Sequence, residues 1–295
     1  IKEFNMARLI FVIVVLLVSG CSNPTHLPPT QPIISHPTES SQKKYYVASN
    51  GDDLNPGSIE LPWRTIGKVN QEMANIKPGD SVLFKRGDEW LLNKDGEAGL
   101  LAITSSGIIF GAYGDGNLPV FNGLYMKDED SMWKGIIAIS NVSHVTTENL
   151  DLYNAVKQQM LVGADNGRPH HITIQNCIFR TNRTQGYMLL YVQNNGDPGS
   201  TNNIVIRNNH FYDSKWNGMR ITGGVNDVFI NGNLIHDVDH NGIDTYPTKI
   251  TTLISMYMIT KFIISILVFT CPEMIMRKSM RTECIIHGQT IRQLA

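Results

Sequence analysis

The chain has 295 residues, with 25 Lys plus Arg against 26 Asp plus Glu, a net charge of −1. That balance excludes a partner held by bulk charge, nucleic acid above all. Only 17% of residues are charged and 42% are hydrophobic, which excludes global disorder. Asn is unusually frequent at 26, favouring turns and stacked amides over helical bundles. Four Cys are too few for a disulfide scaffold.

The first start-like residue is Met6, so residues 1–5 read as an extension. Arg8, the nine apolar residues Leu9–Leu17 and Val18-Ser19-Gly20-Cys21 make a secretory signal, too short to span a bilayer as a mature helix. Val-Ser-Gly-Cys resembles the bacterial lipobox. That resemblance makes Cys21 the lipidated first residue of the mature protein, anchored to the cell envelope and facing outside the cytoplasm. Ser22 resembles the residue that follows the Cys in outer-membrane lipoproteins. Residues 22–44, rich in Pro, Ser, Thr and Gln, read as a flexible tether.

The main domain is expected over 45–249. Four segments repeat within it, beginning at His144, His171, Asn203 and Asp227, with starts 27, 32 and 24 residues apart. Each holds two short alternating strands between polar corners. Such a unit cannot bury a core alone, but parallel stacking joins the inward Ile, Val, Phe and Leu into one column. Asn149, Asn176 and Asn208 fall in one corner column and Asn209 and Asn233 in the next, where amides at about 4.8 Å spacing can bond along the stack. The last three segments continue into Gly186-Tyr-Met-Leu, Gly218-Met-Arg-Ile and Gly242-Ile-Asp-Thr, which the repeat aligns with one another.

Tyr45-Tyr-Val-Ala-Ser-Asn-Gly-Asp-Asp, Pro62-Trp-Arg-Thr-Ile66, Lys77-Pro-Gly-Asp80, Val82–Trp90 and Phe110-Gly-Ala-Tyr-Gly114 resemble the opening of bacterial right-handed parallel β-helix proteins of the pectate-lyase-like superfamily. The resemblance implies an all-β, right-handed parallel β-helix, entered by a strand and capped by an amphipathic helix near Thr65–Asn75. It also implies a polysaccharide or glycan ligand and a monomer.

Stacking the repeats aligns Arg183, Lys215 and Asp239; Thr184, Trp216 and His240; Thr181, Asp213 and Asp237; and Met188, Arg220 and Asp244. Cations, carboxylates and an aromatic on one flank suit an anionic sugar chain. By resemblance to lyases, Lys215 is the base for β-elimination and Arg220 its partner. Asp237, Asp239 and Asp244 are then calcium ligands, and Trp216, His240 and Arg183 contact substrate. The plainer reading makes Lys215–Asp239 and Arg220–Asp244 ion pairs between coils. Alternatives are a hydrolase drawing its carboxylates from Asp213, Asp237, Asp239 and Asp244, a non-catalytic binder of glycan or host surface, or an inactive fragment of either. His144, His170 and His171 read as corners rather than ligands, and Cys177 as an inert thiol. Arg86-Gly-Asp88 fits a strand-ending turn better than an adhesion motif.

All 26 Asn precede Ile250; residues 250–295 contain neither Asn nor Asp but ten Ile and five Met. Residues 250–270 alone would suggest a membrane helix. Reading two bases on, Met256-Tyr257 must give Val and Met258-Ile259 must give Asp, and an alternating Asn-bearing pattern can return. Residues 250–295 therefore read as an out-of-frame tail. Sequencing the source DNA across Lys249 is expected to show the shifted frame carrying the intact pattern; one uninterrupted frame in related genes refutes it.

Overall fold

A computed structural model describes residues 42–127, 134–194 and 198–245, and three further short strands, Thr252–Ser255, Ile285–Ile286 and Gln289–Thr290. The signal segment with Cys21, the tether up to residue 41 and most of 250–295 lie outside the described residues. Among the described residues, no helix is long and apolar enough to cross a membrane.

The chain begins on β1 (Lys44–Val47) and one helix, α1 (Ile66–Glu72). The first coil is β2 (Ser81–Lys85), β3 (Glu89–Leu91) and β4 (Leu101–Ile103); the second is β5 (Ile109–Tyr113), β6 (Val120–Asn122) and β7 (Ile137–Ile139). The third is β8 (Ser143–Glu148), β9 (Asp151–Ala155) and β10 (Met160–Val162), and the fourth β11 (His170–Gln175), β12 (Ile178–Asn182) and β13 (Leu190–Val192). The fifth is β14 (Asn202–Arg207), β15 (His210–Ser214) and β16 (Met219–Ile221); the sixth is β17 (Asn226–Asn231), β18 (Leu234–Val238) and β19 (Ile243–Thr245). Each strand pairs in parallel with its counterpart one coil away, so three ladders wrap one core. The third ladder is divided between β7 and β10. The first ladder extends past Lys249, because β20 (Thr252–Ser255) pairs in parallel with β17.

The core follows from alternation. In the second ladder Trp90, Phe121, Leu152, Phe179, Phe211 and Ile235 share one inward column. All are buried, and Phe179 and Phe211 stack at 4.6 Å. In the first ladder Val145, Ile172, Ile204 and Val228 form another. The helix closes one end of this column: Thr65 caps it by accepting from the Lys68 N–H, and Ile66, Val69, Met73 and Ile76 are buried against the first coil.

The corners explain the Asn excess. His144, His171, Asn203 and Asp227 share one left-handed column, with φ between 52° and 57°. Asn149, Asn176, Asn208 and Gly232 make a second such column at the next corner, and Asn154, Thr181, Asp213 and Asp237 a third. Left-handed backbone favours Asn, Asp and Gly. Beside the second column lies a buried amide ladder. The Asn209 side chain accepts from the Cys177 N–H at 2.9 Å and donates to the Ile174 carbonyl; the Asn233 side chain does the same for the Asn209 N–H and the Ile206 carbonyl. Cys177 carries the ladder one step further through sulfur, its thiol 3.8 Å from the Thr147 carbonyl, the counterpart of Ile174 one coil away. Burial pushes its thiol up to about 12, in keeping with an inert group.

Asn209→Ala is expected to cost about 1–3 kcal/mol for each backbone group left unpaired, and Phe211→Ala about 3–5 kcal/mol. Urea denaturation monitored by far-ultraviolet circular dichroism measures both; a change under 0.5 kcal/mol in either would contradict this packing.

Candidate functional site

Outward positions of the second ladder carry a strip of chemically able side chains. One outward column runs Leu91, Asn122, Tyr153, Arg180, Tyr212, His236; the other runs Glu89, Val120, Asp151, Ile178, His210, Leu234. Alternation along each strand puts these opposite the Phe column. Arg180 donates from Nε and Nη2 to the Asp151 carboxylate, each at 2.9 Å, and lies over the Tyr153 ring at 3.9 Å. Burial lifts Asp151 above the ordinary carboxylate range, more than the Arg180 bonds lower it. The Tyr212 and His236 rings are parallel to within 4°, with centroids 5.4 Å apart. His210 Nε2 lies 2.7 Å from His236 Nε2, and His236 Nδ1 lies 2.8 Å from Asp237 Oδ2. One proton assignment satisfies both contacts: His236 Nδ1–H donates to Asp237 and His210 Nε2–H donates to His236. Burial, and then the neighbouring His236, hold His210 below its usual range.

The predicted flank adjoins this strip at the corner between the second and third ladders. The Thr181, Asp213, Asp237 column is confirmed in register. Thr181 Oγ1 donates to Asp213 at 2.6 Å. Trp216 and His240 stack in parallel at 4.3 Å, a two-ring ledge one coil deep. Thr181 is the outlier of the corner, a β-branched residue at φ 55°. Gln159 holds that backbone in place, its side-chain amide donating to the Arg180 and Thr181 carbonyls.

Several expectations need correcting. Met188 does not align with Arg220; Tyr191 does. The turn after β12 is three residues longer than its neighbours, so Leu189, not Gly186, sits beside Gly218. Lys215 pairs with Asp213 at 3.7 Å rather than with Asp239. The Arg220–Asp244 ion pair does form, at 2.5 Å, and Asn217 donates to the same carboxylate. Arg183 Nη2 reaches back to the Gly123 and Met126 carbonyls at 2.8 and 2.7 Å, pinning the chain after β6. Asp237 is engaged by His236 and Asp244 by Arg220, while Asp239 is exposed. Among the described residues, the group of three His, Cys, Asp or Glu side chains whose ligand atoms lie within 4.8 Å of one another is His144, His170 and His171; the proposed calcium carboxylates form no such group.

Sequence reasoning passed over Asp151, Tyr153, Arg180, His210, Tyr212 and His236. Their signal was present in the outward positions of Asp151-Leu-Tyr, Ile178-Phe-Arg, His210-Phe-Tyr and Leu234-Ile-His, visible once the columns are read vertically.

Residues 134–258 match the family described as the right handed beta helix region. The fold is a right-handed parallel β-helix. Among curated proteins, the lacto-N-biosidase of Bifidobacterium longum subsp. longum is 33% identical over 142 residues, covering 40% of this chain and 8% of that protein. The chain thus spans under a tenth of that relative's length. Among solved structures, pectate lyase Pel9A superposes with a TM-score of 0.50 at 21% identity, covering 73% of this chain and 53% of that one. The GH136 lacto-N-biosidase from Eubacterium ramulus gives 0.48 at 15% identity, covering 74% and 56%.

Two outcomes follow from the corner and the strip. Thr181→Asn is expected to stabilise the fold by about 1 kcal/mol, since Asn154 occupies the same column at φ 61°; a destabilised variant in urea would contradict the strain. His210 binds a proton less readily folded than unfolded, so the unfolded chain takes up more protons as acid is added. The His210 contribution is whole above about 6.5 and is lost as pH falls below that value. His210→Gln is expected to flatten that acid limb of the stability profile, measured as denaturation midpoint against pH.

Proposed function

We propose that this chain is the β-helical part of a glycan-cleaving protein, with the sugar chain lying along the second ladder's outward strip and the adjoining corner. One observation carries the reading: Tyr153, Arg180, Tyr212 and His236 occupy one outward column over four successive coils. Ring edges, a phenol hydroxyl, an imidazole and a guanidinium at about 4.8 Å intervals suit contact and hydrogen bonding with successive parts of an extended ligand. The resemblance in sequence to a protein named lacto-N-biosidase supports glycosidic cleavage by hydrolysis.

Within this reading Asp213 and Asp237 are the reacting pair. They share a column in adjacent coils, and both are exposed to about half or more. A one-coil spacing of about 4.8 Å lies nearer the carboxyl separation of retaining glycosidases than that of inverting ones. Asp237 passes to the leaving oxygen the proton it draws from His236 Nδ1–H, which is replaced through His210 from solvent; water then adds to the sugar carbon and returns a proton to solvent. Asp213, held by Thr181 and beside Lys215, attacks or stabilises the sugar cation. The Trp216–His240 ledge supports a neighbouring sugar.

A second reading is β-elimination on an acidic polysaccharide with Lys215 as base, supported by its exposure on the same corner. Its neighbour there is a carboxylate, not the second cation that mechanism asks for, and Arg220 is committed to Asp244. Calcium held by Asp237, Asp239 or Asp244 belongs to this reading. In either case lipidation at Cys21 would tether the domain outside the cytoplasm.

The test is incubation of the full chain with neutral oligosaccharides and with pectate, alginate and glycosaminoglycans, with and without calcium. Hydrolysis is expected to yield new reducing ends without unsaturated, ultraviolet-absorbing ends. Asp213→Asn and Asp237→Asn are each expected to lower that rate by about 10²–10⁴-fold. Tyr212→Ala is expected to raise KM more than it lowers kcat. Unsaturated products lost in Lys215→Ala would establish elimination instead; glycan binding without cleavage, or no binding at all, would overturn both.

A further inference from the structure

A different face of the coil carries a second constellation. At the head of the first ladder, His144 lies at the start of β8, and His170 and His171 open β11 one coil on. One ring nitrogen from each lies within 4.8 Å of those of the other two. His170 Nδ1 and His171 Nδ1 are 2.9 Å apart, and the His144 and His171 rings are stacked at 4.5 Å, 10° from parallel.

The backbone creates this convergence. His144 and His171 occupy the same left-handed column at φ 57° and 55°, where the following coils carry Asn203 and Asp227. The neighbouring column runs Ser143, His170, Asn202, Asn226. Imidazole therefore stands in both columns where later coils have an amide or a carboxylate. Nothing in the core requires a ring there: His144 and His171 are exposed and His170 is half-buried.

We propose that His144, His170 and His171 form a binding site for a divalent transition cation of the zinc, nickel or copper type, clamping the third coil to the fourth. The donor set selects the metal. Three imidazole nitrogens without a carboxylate suit these borderline ions and not calcium or magnesium, which take oxygen ligands. The distances are compatible. Two nitrogens each about 2.0–2.1 Å from one cation lie roughly 2.9–3.4 Å apart at angles between 90° and tetrahedral. His170 and His171 already have that separation, and rotation of the exposed His144 ring brings in the third ligand. The cation would displace the proton that His170 and His171 otherwise share, and water would complete the coordination. The site joins two successive coils, and binding to the folded chain alone raises its stability with the logarithm of free metal over Kd. This inference is independent of the glycan reading, which uses the second ladder.

The test is isothermal titration of untagged full-length protein, stripped with chelator, with zinc and nickel, alongside thermal unfolding with and without metal. His170→Asn and His171→Asn place at each position the residue that the next coil carries there, so the fold is expected to be retained, as checked by far-ultraviolet circular dichroism. One zinc or nickel per chain is expected, with a rise in Tm on loading. Affinity should fall at least about tenfold in either variant and stay unchanged in His236→Asn. Calcium is expected to produce neither heat nor a Tm shift. No zinc or nickel binding by the parent, parental affinity in both folded variants, or equal binding of calcium would each overturn the proposal.

Discussion

Parallel stacking in strict register is the constraint on which everything else in this molecule rests. When each strand pairs with its counterpart one coil away, every inward side chain must fit above and below its own kind, and every corner must repeat the backbone path beneath it. The first condition produces the continuous column from Trp90 to Ile235. The second produces three columns of left-handed backbone, and so the Asn and Asp content. Loops between strands are released from the constraint. They vary in length, which is why the spacing between repeats wanders while the strands do not.

The same constraint turns the outside of the coil into an ordered surface. A side chain at an outward position is held at a fixed height beside its neighbours, so a row of reactive or stacking groups can be assembled from residues about 27 apart in sequence without any folded pocket. Arg180 illustrates the cooperation this allows: it is anchored by Asp151 from the coil below, lies over Tyr153 of the same coil as Asp151, and has Tyr212 as its neighbour above. Strain collects where the row meets the corner. Thr181 accepts a backbone conformation that suits Asn, and its hydroxyl bond to Asp213 offers a reason for its presence there.

The fold and most of its register were legible in the sequence because inward apolar residues and corner Asn residues repeat together. The His144 column was recovered whole, and the Asn149 and Thr181 columns in register but without Gly232 and Asn154. In the third ladder the last two coils were recovered, with Arg220 beside Asp244, but the coil before them was not, because Gly186 mimics Gly218 while it belongs to a longer turn. The first two coils carry no corner Asn pattern of the later kind, and their strands show only once paired. The corner cluster around Lys215 and Asp237 was legible for the same reason as the corners themselves. The strip from Tyr153 to His236 was not, since outward residues share no chemistry from coil to coil, and nothing repeats for the eye to follow. Partner choice was also hidden: a column gives Lys215 several acidic neighbours, and only side-chain placement selects Asp213.

The buried amide ladder has a direction. Each Asn takes a bond from one neighbour's N–H and gives one to a carbonyl, so an Asn-bearing lap presents the same two valences at its upper and lower surfaces. At Cys177 the same position passes to sulfur, whose 3.8 Å contact with the Thr147 carbonyl makes a longer and weaker rung than the Asn amides at 2.8–2.9 Å.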